Sequence, residues 1–265
     1  MSTTVRIGII GGNGWLGDAI ANAVVAAGIV EPTRLTLSSR SDRRGPFEAP
    51  GVCWTKDNDE LVDRSDVIVL SVRPQQFPAV EIDARGKLVV SVMAGVPAAA
   101  IAARTHANRV IRAMPNAAAS LRKSFTPWFA TAMATEDDKA LAQQLLSACG
   151  EAEEVPLESH VDYCVGLTGS GAAFPALLAQ AMIDAAVSQG LSPSFARRAA
   201  ISVVADASQL LRADGADPAQ IVQEMIDYRG TTAAALTTMR ARGFGDATRS
   251  GLEAAALKAA EMTAG

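Results

Sequence analysis

The stretch Val5-Arg-Ile-Gly-Ile-Ile-Gly-Gly-Asn-Gly-Trp-Leu-Gly17 joins a short apolar run to a turn rich in glycine. A helix-forming segment, Asp18 to Ala27, follows the last glycine at once. A Gly-x-Gly-x-x-Gly string between a strand and a helix is typical of dinucleotide-binding domains. In that arrangement Gly12 permits a tight turn, Gly14 lets a pyrophosphate approach the backbone, and Gly17 lets the helix pack on the strand. The phosphates then meet free N–H groups at the positive end of the helix.

The first half of the chain alternates apolar runs with helix-like segments, as in a parallel sheet covered by helices on both faces. The predicted strands are Val5–Ile10, Arg34–Ser38, Gly51–Thr55, Asp66–Val72, Leu88–Val92 and Val110–Ala113. Phe125–Ala132 is predicted to be an edge strand, because Pro127 has no N–H for a neighbouring strand. Glu136–Cys149 is predicted to be a helix that Gly150 closes. The sequence therefore predicts an α/β fold that begins with a Rossmann-like doubly wound sheet.

The second half has a different texture, because strand signals vanish after about Leu157 and alanine-rich helical segments follow. Pro193 and Pro218 each follow a Ser or Asp residue, which suits the first helical position behind an N-cap. We expect a dinucleotide-binding Rossmann domain over residues 1–156 and an all-helical dimerisation and substrate domain over residues 157–265. These small, apolar helices would bury far more surface in a dimer, so a homodimer is expected. A higher oligomer of dimers stays open.

The overall composition is that of an ordinary soluble globular protein. The 265 residues are 49% hydrophobic and 20% charged, with a formal net charge of -4. This charge gives no reason to expect nucleic acid or an anionic membrane as a partner. Tyr163 to Ile183 carries no charged side chain and is long enough to span a bilayer. Polar residues and helix breakers in its first half instead favour a helix buried against a partner helix.

The cysteines and histidines give no sign of a disulfide framework or a metal centre. Cys53, Cys149 and Cys164 are odd in number and show no paired spacing, so we expect reduced thiols in a cytoplasmic protein. His106 and His160 are the only histidines, and neither has a neighbour at ligand spacing. No metal is expected, and each histidine is interpreted as a surface or capping residue.

The end of the second predicted strand, Leu37-Ser38-Ser39-Arg40, occupies the position that normally reads the adenosine ribose. An acid at this place accepts the 2′-hydroxyl of NAD, whereas a basic residue accommodates the extra phosphate of NADP. The Arg40 guanidinium and the Ser39 hydroxyl suit a phosphate dianion. We therefore expect NADPH (NADP+) in preference to NADH. A solvated basic loop without a ligand is the alternative.

Several further segments carry a family resemblance along nearly the full length of the chain. They are Asp66-Val-Ile-Val-Leu-Ser-Val-Arg-Pro74, Arg112-Ala-Met-Pro-Asn116, Leu167-Thr-Gly-Ser-Gly171 and Gly230-Thr-Thr232. In this order they resemble the strand ends, cofactor loop and helix starts of the pyrroline-5-carboxylate reductase family. The resemblance implies an NAD(P)H-dependent oxidoreductase of a cyclic imine carboxylate, most simply one that converts 1-pyrroline-5-carboxylate to L-proline in proline biosynthesis.

The resemblance also implies which residues bind the two ligands. The substrate residues are Met114, Pro115, Asn116, Ser170, Gly171, Gly230, Thr231 and Thr232. The cofactor residues are Gly12, Asn13, Gly14, Trp15, Leu16, Ser39, Arg40, Asn58, Ser71, Val72, Arg73, Pro74, Ala94 and Gly95. Plain packing or turn formation is the alternative for Met114 and Pro115, and helix capping is the alternative for Thr231 and Thr232.

An absent side chain bears on the reaction. The related hydroxyacid dehydrogenases resemble this architecture and carry a catalytic lysine after glycines spaced like Gly166, Gly169 and Gly171, but here Pro175 stands where that lysine is expected. A ketone needs a positioned general acid. An imine nitrogen is basic enough to arrive protonated, so orientation against the nicotinamide can supply most of the acceleration. Thr232 is the candidate catalytic residue through a hydrogen bond to the ring nitrogen, and we do not expect it to be indispensable.

Three departures from the family pattern fall at the substrate end. The segments Met114-Pro-Asn-Ala-Ala-Ala119 and Gly169-Ser-Gly-Ala-Ala-Phe174 together lose a hydroxyl and two prolines. Asp227-Tyr-Arg-Gly230 replaces a loop that the family keeps small. Two alternatives therefore stay open. One is a reductase of a different imine or keto acid that uses Tyr228 or Arg229 as new contacts, and the other is a non-catalytic nucleotide-binding protein.

Overall fold

A computed structural model of the chain describes residues 5–40 and 47–261. Contacts between residues divide the chain into two compact units. The first unit comprises Met1–Ser170 and Glu253–Gly265, and the second comprises Gly171–Leu252. The first unit contains the sheet, and the second is helical, as the sequence predicts for the two halves.

Eight strands form one sheet in the order β3-β2-β1-β4-β5-β6-β7-β8. The strands are β1 (Ile7–Ile10), β2 (Leu35–Ser38), β3 (Cys53–Thr55), β4 (Val67–Leu70), β5 (Leu88–Ser91), β6 (Arg109–Ala113), β7 (Ser124–Ala130) and β8 (Gly150–Glu154). Every neighbouring pair is parallel except β6 and β7, which are antiparallel. The chain order reverses at β1, which lies between β2 and β4, so ligands are expected outside the carboxyl ends of these strands.

Helices cover both faces of the sheet, which confirms the predicted doubly wound fold. The helices of this unit are α1 (Trp15–Ala26), α2 (Asn58–Asp63), α3 (Ala98–Thr105), α4 (Glu136–Ser147) and α5 (Glu158–Cys164). Ile7 and Ile9 of β1 pack into the core on one face, and Ile10 packs into the core on the other. The central strands are apolar at nearly every position because both of their faces are buried.

The prediction that Phe125–Ala132 is an edge strand is wrong. β7 lies between β6 and β8, and it pairs with both. The Pro127 carbonyl accepts the Met114 N–H at 2.9 Å, one residue past the end of β6. In an antiparallel pair both polar groups of one residue face the same neighbour. The missing N–H of Pro127 therefore removes only a terminal bond to β6 and leaves the pairing with β8 intact.

The end of the following helix also differs from the prediction. α4 ends at Ser147, and Gly150 does not close it but begins β8 with a φ of 143°. A Cβ at Gly150 would overlap the backbone of Ser124, so the glycine lets the two strands meet closely. The sequence Gly-Glu-Ala-Glu-Glu154 carries no apolar strand signal. An edge strand gains its pairing from one neighbour and keeps its charges in water, so the apolar pattern could not reveal it.

The second unit consists of α-helices joined by turns and, between the second and third of them, by the π-helix Ser202–Asp206 and the 3₁₀ helix Ala207–Arg212. The α-helices are α6 (Phe174–Ser188), α7 (Pro193–Ile201), α8 (Pro218–Asp227), α9 (Thr231–Ala241) and the start of α10 (Phe244–Glu261). Ser192 and Asp217 accept backbone N–H groups as the N-caps of α7 and α8. Pro193 and Pro218 follow these caps at the first helical position, which confirms the two predicted helix starts.

Many large apolar side chains of the second unit are exposed. Leu177 on α6 is 71% exposed and Phe195 on α7 is half exposed. Among the residues that the structure describes, one helical run, Glu158–Ser188, is long and apolar enough to cross a membrane by length and composition. Helices that form the core of soluble proteins or assemblies have the same composition, so exposed apolar surface here also suits coverage by another subunit.

Candidate functional site

The glycine-rich turn connects β1 to α1 at the carboxyl edge of the sheet. The N–H groups of Gly11 and Gly12 both donate to the Ser38 carbonyl at the end of β2, at 3.1 and 2.9 Å. Gly11, with a φ of 87°, takes the left-handed conformation that glycine allows. The Gly14 N–H closes this turn on the Gly11 carbonyl at 3.0 Å, so Gly12 lies within the tight turn and the preceding residue, Gly11, supplies its left-handed conformation.

The three glycines of the motif are small for different reasons. A Cβ at Gly12 would lie 2.9 Å from the Cβ of Leu37, so this residue lets the loop pack against β2. A Cβ at Gly17 would overlap the Gly11 carbonyl oxygen, so Gly17 lets α1 approach the loop, as predicted. A Cβ at Gly14 would meet only backbone oxygen at 3.3 Å or more. Space above Gly14 is what a phosphate group needs to approach the backbone.

A cavity of 250 Å³ opens beside this loop, outside the carboxyl ends of β1 and β2. It brings together five of the predicted cofactor residues, namely Asn13, Ser39, Arg40, Asn58 and Val72. The other lining residues were not predicted from the sequence; they are Ile10, Gly11, Ser38, Gln76, Ala79 and Val80. Three of these belong to the 3₁₀ turn Pro74–Ala79 or follow it directly. The only sequence signal for that turn was Pro74 itself.

Polar contacts set the orientation of the side chains in this cavity. The Ser38 hydroxyl donates to Asn58 Oδ1 at 2.7 Å, which holds the first residue of α2 toward the end of β2. Asp57 caps α2 by accepting the N–H groups of Asp59 and Glu60. Ser39 is buried, whereas Arg40 is exposed at the rim of the cavity. A guanidinium at the rim can meet a phosphate that arrives from solvent.

The other predicted cofactor residues follow the carboxyl ends of β1, β4 and β5. The Ser71 N–H donates to the Ile10 carbonyl at 2.9 Å, so the segment after β4 lies beside the glycine loop. Trp15 begins α1 and is 61% exposed. Ala94 and the buried Gly95 lie after β5 and shortly before α3. None of these residues lines the cavity itself. The glycine-rich loop, Arg73 and Pro74 extend along the same carboxyl edge of the sheet.

The structure brings several predicted substrate residues together within the first unit. Asn116 Nδ2 donates to the Thr168 carbonyl at 3.0 Å, and its backbone N–H donates to the Ser124 hydroxyl at 3.0 Å. A Cβ at Gly169 would lie 3.0 Å from Met114 Cε. The segment after β6 therefore contacts the segment after α5, which leads directly into the exposed Ser170. Pro115 is buried and Met114 is half-buried, so both also have a packing role.

One charged residue of this region was not predicted to have a role. Arg112 in β6 is 1% exposed, and its guanidinium is 2.7 Å from Glu158 Oε1 and 2.7 Å from Asp162 Oδ1 on α5. Its Nε has no hydrogen-bond partner in the described part of the chain. The signal available in the sequence was an arginine beside apolar residues in the predicted strand Val110–Ala113. A buried cation must be paired, so Arg112 ties the end of β6 to α5.

The remaining predicted substrate residues belong to the second unit; they are Gly171, Gly230, Thr231 and Thr232. Gly230 is the N-cap of α9, and the exposed Thr231 and Thr232 form its first turn. No threonine side chain caps this helix, so the capping alternative is wrong for both residues. Tyr228 is 85% exposed, and a Cβ at Gly230 would lie 3.1 Å from its ring. Arg229 has a φ of 57°, which is uncommon for a residue other than glycine.

The remaining features concern metals and cysteines. No group of three His, Cys, Asp or Glu side chains suited to a metal ion occurs among the described residues. Cys53, Cys149 and Cys164 are free thiols. Burial raises the pKa of the Cys149 thiol to about 11 and raises that of Cys164 as well. His106 takes the left-handed conformation at the C-cap of α3, as expected for a capping residue.

An open sheet, a glycine-rich loop and a cavity where the strand order reverses define a dinucleotide-binding domain of the Rossmann class. Residues 6–95 match the family model described as NADP oxidoreductase, coenzyme F420-dependent. Residues 158–262 match the model described as pyrroline-5-carboxylate reductase dimerisation. The Mus musculus protein named pyrroline-5-carboxylate reductase 3 is 32% identical over 99% of this chain and 98% of its own length. This chain belongs to the pyrroline-5-carboxylate reductase family.

Solved structures agree with this assignment. The structure of a pyrroline-5-carboxylate reductase from Coxiella burnetii has a TM-score of 0.86 and 28% identity, covering 98% of this chain and 99% of that chain. A Plasmodium falciparum pyrroline carboxylate reductase with NADP bound has a TM-score of 0.83 and 21% identity, with 98% of each chain covered, and shows the same fold. The family, the fold class and the class of enzyme that the sequence predicts are confirmed.

Proposed function

We propose that this protein reduces 1-pyrroline-5-carboxylate to L-proline with NADPH. The observation that best supports this proposal is the hydrogen bond from Asn116 to the Thr168 carbonyl, which joins the family's two substrate segments beside the cofactor edge of the sheet. Family membership supports the reaction class, an NAD(P)H-dependent reduction of a carbon–nitrogen double bond. The sequence between Lys139 and Lys258 contains no lysine, so no ammonium group is available from α6, where a ketone reductase would need one.

The residues of the cavity fit the adenosine end of a dinucleotide. The Gly11–Gly14 loop would hold the pyrophosphate, since the space above Gly14 exposes its backbone. Asn58 and Val72 would line the adenosine, and Ala94 and Gly95 would support the nicotinamide end beyond β5. The matched family model names NADP together with coenzyme F420, and NADP(H) is the dinucleotide of the two. When bound, it supplies a hydride at the nicotinamide ring.

The preference for NADPH over NADH belongs to the proposal. Arg40 lies at the rim of the cavity and Ser39 within it, immediately after β2. A guanidinium presents several donors to a phosphate and is always charged, which suits the 2′-phosphate of NADPH. A ribose without that phosphate would leave Arg40 solvated and would gain nothing from it. Arg40 therefore discriminates between the two cofactors.

The substrate side of the mechanism rests on positioning. The family resemblance assigns the substrate carboxylate to hydroxyl and free N–H groups of Ser170, Gly171, Gly230, Thr231 and Thr232. It assigns contacts with the ring to Met114, Pro115 and Asn116. The imine arrives protonated, so one hydride added to its carbon gives the amine without a proton from the protein. Thr232 would hydrogen-bond the ring nitrogen and orient it.

The proposal also covers the domain boundary and the oligomeric state. We place the dinucleotide-binding domain at residues 1–156 and the dimerisation and substrate domain at residues 157–265. The dimerisation family model and the exposed apolar side chains of α6 and α7 support a homodimer formed through the second domain. A higher oligomer of such dimers is compatible with the same surface. The three free thiols support the cytoplasm as its location.

A specific observation favours a second candidate, a reductase of a different imine or keto acid. Tyr228 lies against Gly230 at the start of α9, and Arg229 adopts a backbone conformation that costs free energy for a residue with a Cβ. The family resemblance leads us to expect a small, glycine-rich loop here. A phenol and a guanidinium beside the substrate carboxylate site would suit a ligand that is larger or carries a second anionic group.

The test is NADPH consumption with 1-pyrroline-5-carboxylate, compared with a panel of larger cyclic imines and of keto acids. The proposal expects the highest kcat/KM for 1-pyrroline-5-carboxylate. A higher value for another imine or keto acid would instead support the second candidate. Cofactor binding without turnover across the panel would indicate a non-catalytic nucleotide-binding protein. A matched Tyr228→Ser, Arg229→Gly double variant shows whether the loop sets the preference.

A further inference from the structure

Three segments proposed to contact the ligands are held by one group of charged side chains. Arg112 is the next-to-last residue of β6 and lies two residues before Met114. Its Nη1 donates to Glu158 Oε1 and its Nη2 donates to Asp162 Oδ1, each at 2.7 Å. Glu158 is the first residue of α5, and the chain leaves this helix toward Gly169. The ion pairs therefore fix the β6 end of the site against the helix that leads to its other side.

Glu158 also reaches a third segment. The same oxygen, Oε1, accepts the N–H of Ala98 at 2.7 Å, in the first turn of α3. α3 follows Ala94 and Gly95, which are proposed to support the nicotinamide, after only two residues. One carboxylate oxygen therefore joins the segment on the nicotinamide side to the segment on the substrate side. Arg112 supplies the charge that keeps this oxygen in place.

The energetics of the cluster suggest more than a stabilising role. Arg112 is almost fully buried, and its Nε lacks a partner in the described residues. Glu158 and Asp162 keep 32% and 46% of their side chains exposed, so water weakens both attractions. An apolar side chain of similar volume often stabilises a fold as well as a buried ion pair does. The pair instead offers directional hydrogen bonds, which fix relative positions more tightly than packing alone.

We propose that Arg112 and Glu158 are positioning residues that set the distance between the nicotinamide segment and the substrate segment. The proposal rests on the proposed function, since it assigns the two segments to a hydride donor and an imine acceptor. Hydride transfer requires the reacting atoms to be about 3–3.5 Å apart, and a misplacement of about 1 Å can cost about 100-fold in rate. Neither residue contacts the reacting atoms, so their effect is on geometry.

The main test variant is Glu158→Gln, which preserves the shape of the side chain but removes its charge. Its carbonyl oxygen can still accept from Ala98 or Arg112, while the strong pairing with the guanidinium is lost. The matched control is Asp138→Asn. Asp138 on α4 is buried and accepts from Arg109 Nη1 of β6 at 2.7 Å and from the N–H and hydroxyl of Thr135, so the variant weakens an ion pair with the same strand and a helix cap, away from the cavity. Arg112→Lys and Arg112→Met complete the set, because an ammonium can meet one carboxylate and a methionine neither.

For Glu158→Gln we expect kcat to fall by about 10- to 100-fold while KM for the imine and the Kd for NADPH change little. Asp138→Asn should lower Tm at least as much, because it also weakens the cap of α4, and should leave kcat within about twofold. Arg112→Lys should retain more of kcat than Arg112→Met. If Arg112→Met does not fold, the other three variants still decide. The proposal is overturned if kcat follows Tm equally in Glu158→Gln and Asp138→Asn, or if Glu158→Gln raises KM alone.

A second readout does not depend on turnover. The fluorescence of bound NADPH reports the surroundings of its nicotinamide, so we expect Glu158→Gln to change the bound emission at unchanged Kd, and Asp138→Asn to leave it unchanged. Unchanged emission in both variants would refute the positioning role even if kcat fell. If the wild-type protein binds NADPH but reduces no imine, the proposed function fails, and the emission measurement still tests whether Glu158 positions the nicotinamide.

Discussion

Arg40→Ala tests the proposed cofactor preference most directly. Arg40 is the exposed rim residue of the 250 Å³ cavity, and the described chain places it immediately after β2 and Ser39. A hydrogen bond to a charged group contributes about 1.5–3 kcal/mol. Because the guanidinium is exposed to solvent, the lower end applies, and about 1.5 kcal/mol corresponds to a Kd for NADPH that is roughly tenfold higher. The Kd for NADH should stay within about twofold, since NADH has no 2′-phosphate.

The assay is titration of the wild-type and variant proteins with NADPH and with NADH, followed by cofactor fluorescence at two salt concentrations. Arg85→Ala is the control, because Arg85 is 70% exposed, pairs with Asp83 and does not line the cavity. It removes the same net charge and so measures the long-range field alone. That field weakens as salt screens it, whereas a direct contact with the phosphate is affected less.

Two results would contradict the proposed role of Arg40 in the preference for NADPH. If Arg40→Ala weakens NADPH and NADH equally, Arg40 contributes to binding in general and does not read the 2′-phosphate. If Arg85→Ala causes the same selective loss for NADPH, the preference arises from net charge and not from a contact. In either case Ser39 would be the remaining described candidate for reading the phosphate.

Four further predictions concern stability, assembly and chemistry. Gly17→Ala should cost about 1–3 kcal/mol in urea unfolding, because its Cβ would overlap the glycine loop, and it should weaken both cofactors. Leu177→Glu should give a monomeric mass by light scattering, since a partner subunit would have to bury the new charge; a persisting dimer would contradict the proposed interface. Asp66→Asn should make Tm fall less steeply as the pH is lowered into the acidic range. The Arg6 guanidinium lowers the pKa of Asp66, so its stabilisation is present above the unfolded pKa and is lost as pH falls through the folded one. Cys149, with its pKa raised to about 11, should react with iodoacetamide at pH 8 far more slowly in the native protein than in urea; equal rates would disprove its burial.

The cofactor half of the fold was largely predictable because its signals are local. Gly14 and Gly17 lie in the loop and the helix start that follow β1, and the steric need for glycine acts between residues close in the chain. Asp57 caps α2 for the same local reason, and in the second unit Ser192 and Asp217 cap α7 and α8 in the same way. The sequence did not show which of the two adjacent glycines takes the positive φ of the turn. The backbone dihedral angles select Gly11 for it.

The edge of the sheet was not predictable, because strand order depends on partners that are distant in sequence. Pro127 indicated an edge strand, but β8 arrives from residues 150–154 and covers the far side of β7. The charged sequence of β8 shows no alternation that would distinguish it from a loop. Its pairing comes from the Ser124–Ala130 strand and not from its own composition.

The class of fold, the glycine loop and the arginine after β2 could be read from the sequence, because each is encoded by residues close together in the chain, and the family could be read from short motifs in a fixed order. Which distant residues meet was settled by the tertiary structure. It placed Asn58 beside Ser38, joined Asn116 to Thr168, and paired the buried Arg112 with carboxylates 46 and 50 residues away. Such contacts depend on strand order and helix packing. A charged residue in an apolar strand identifies its need for a partner, but packing chooses the partner.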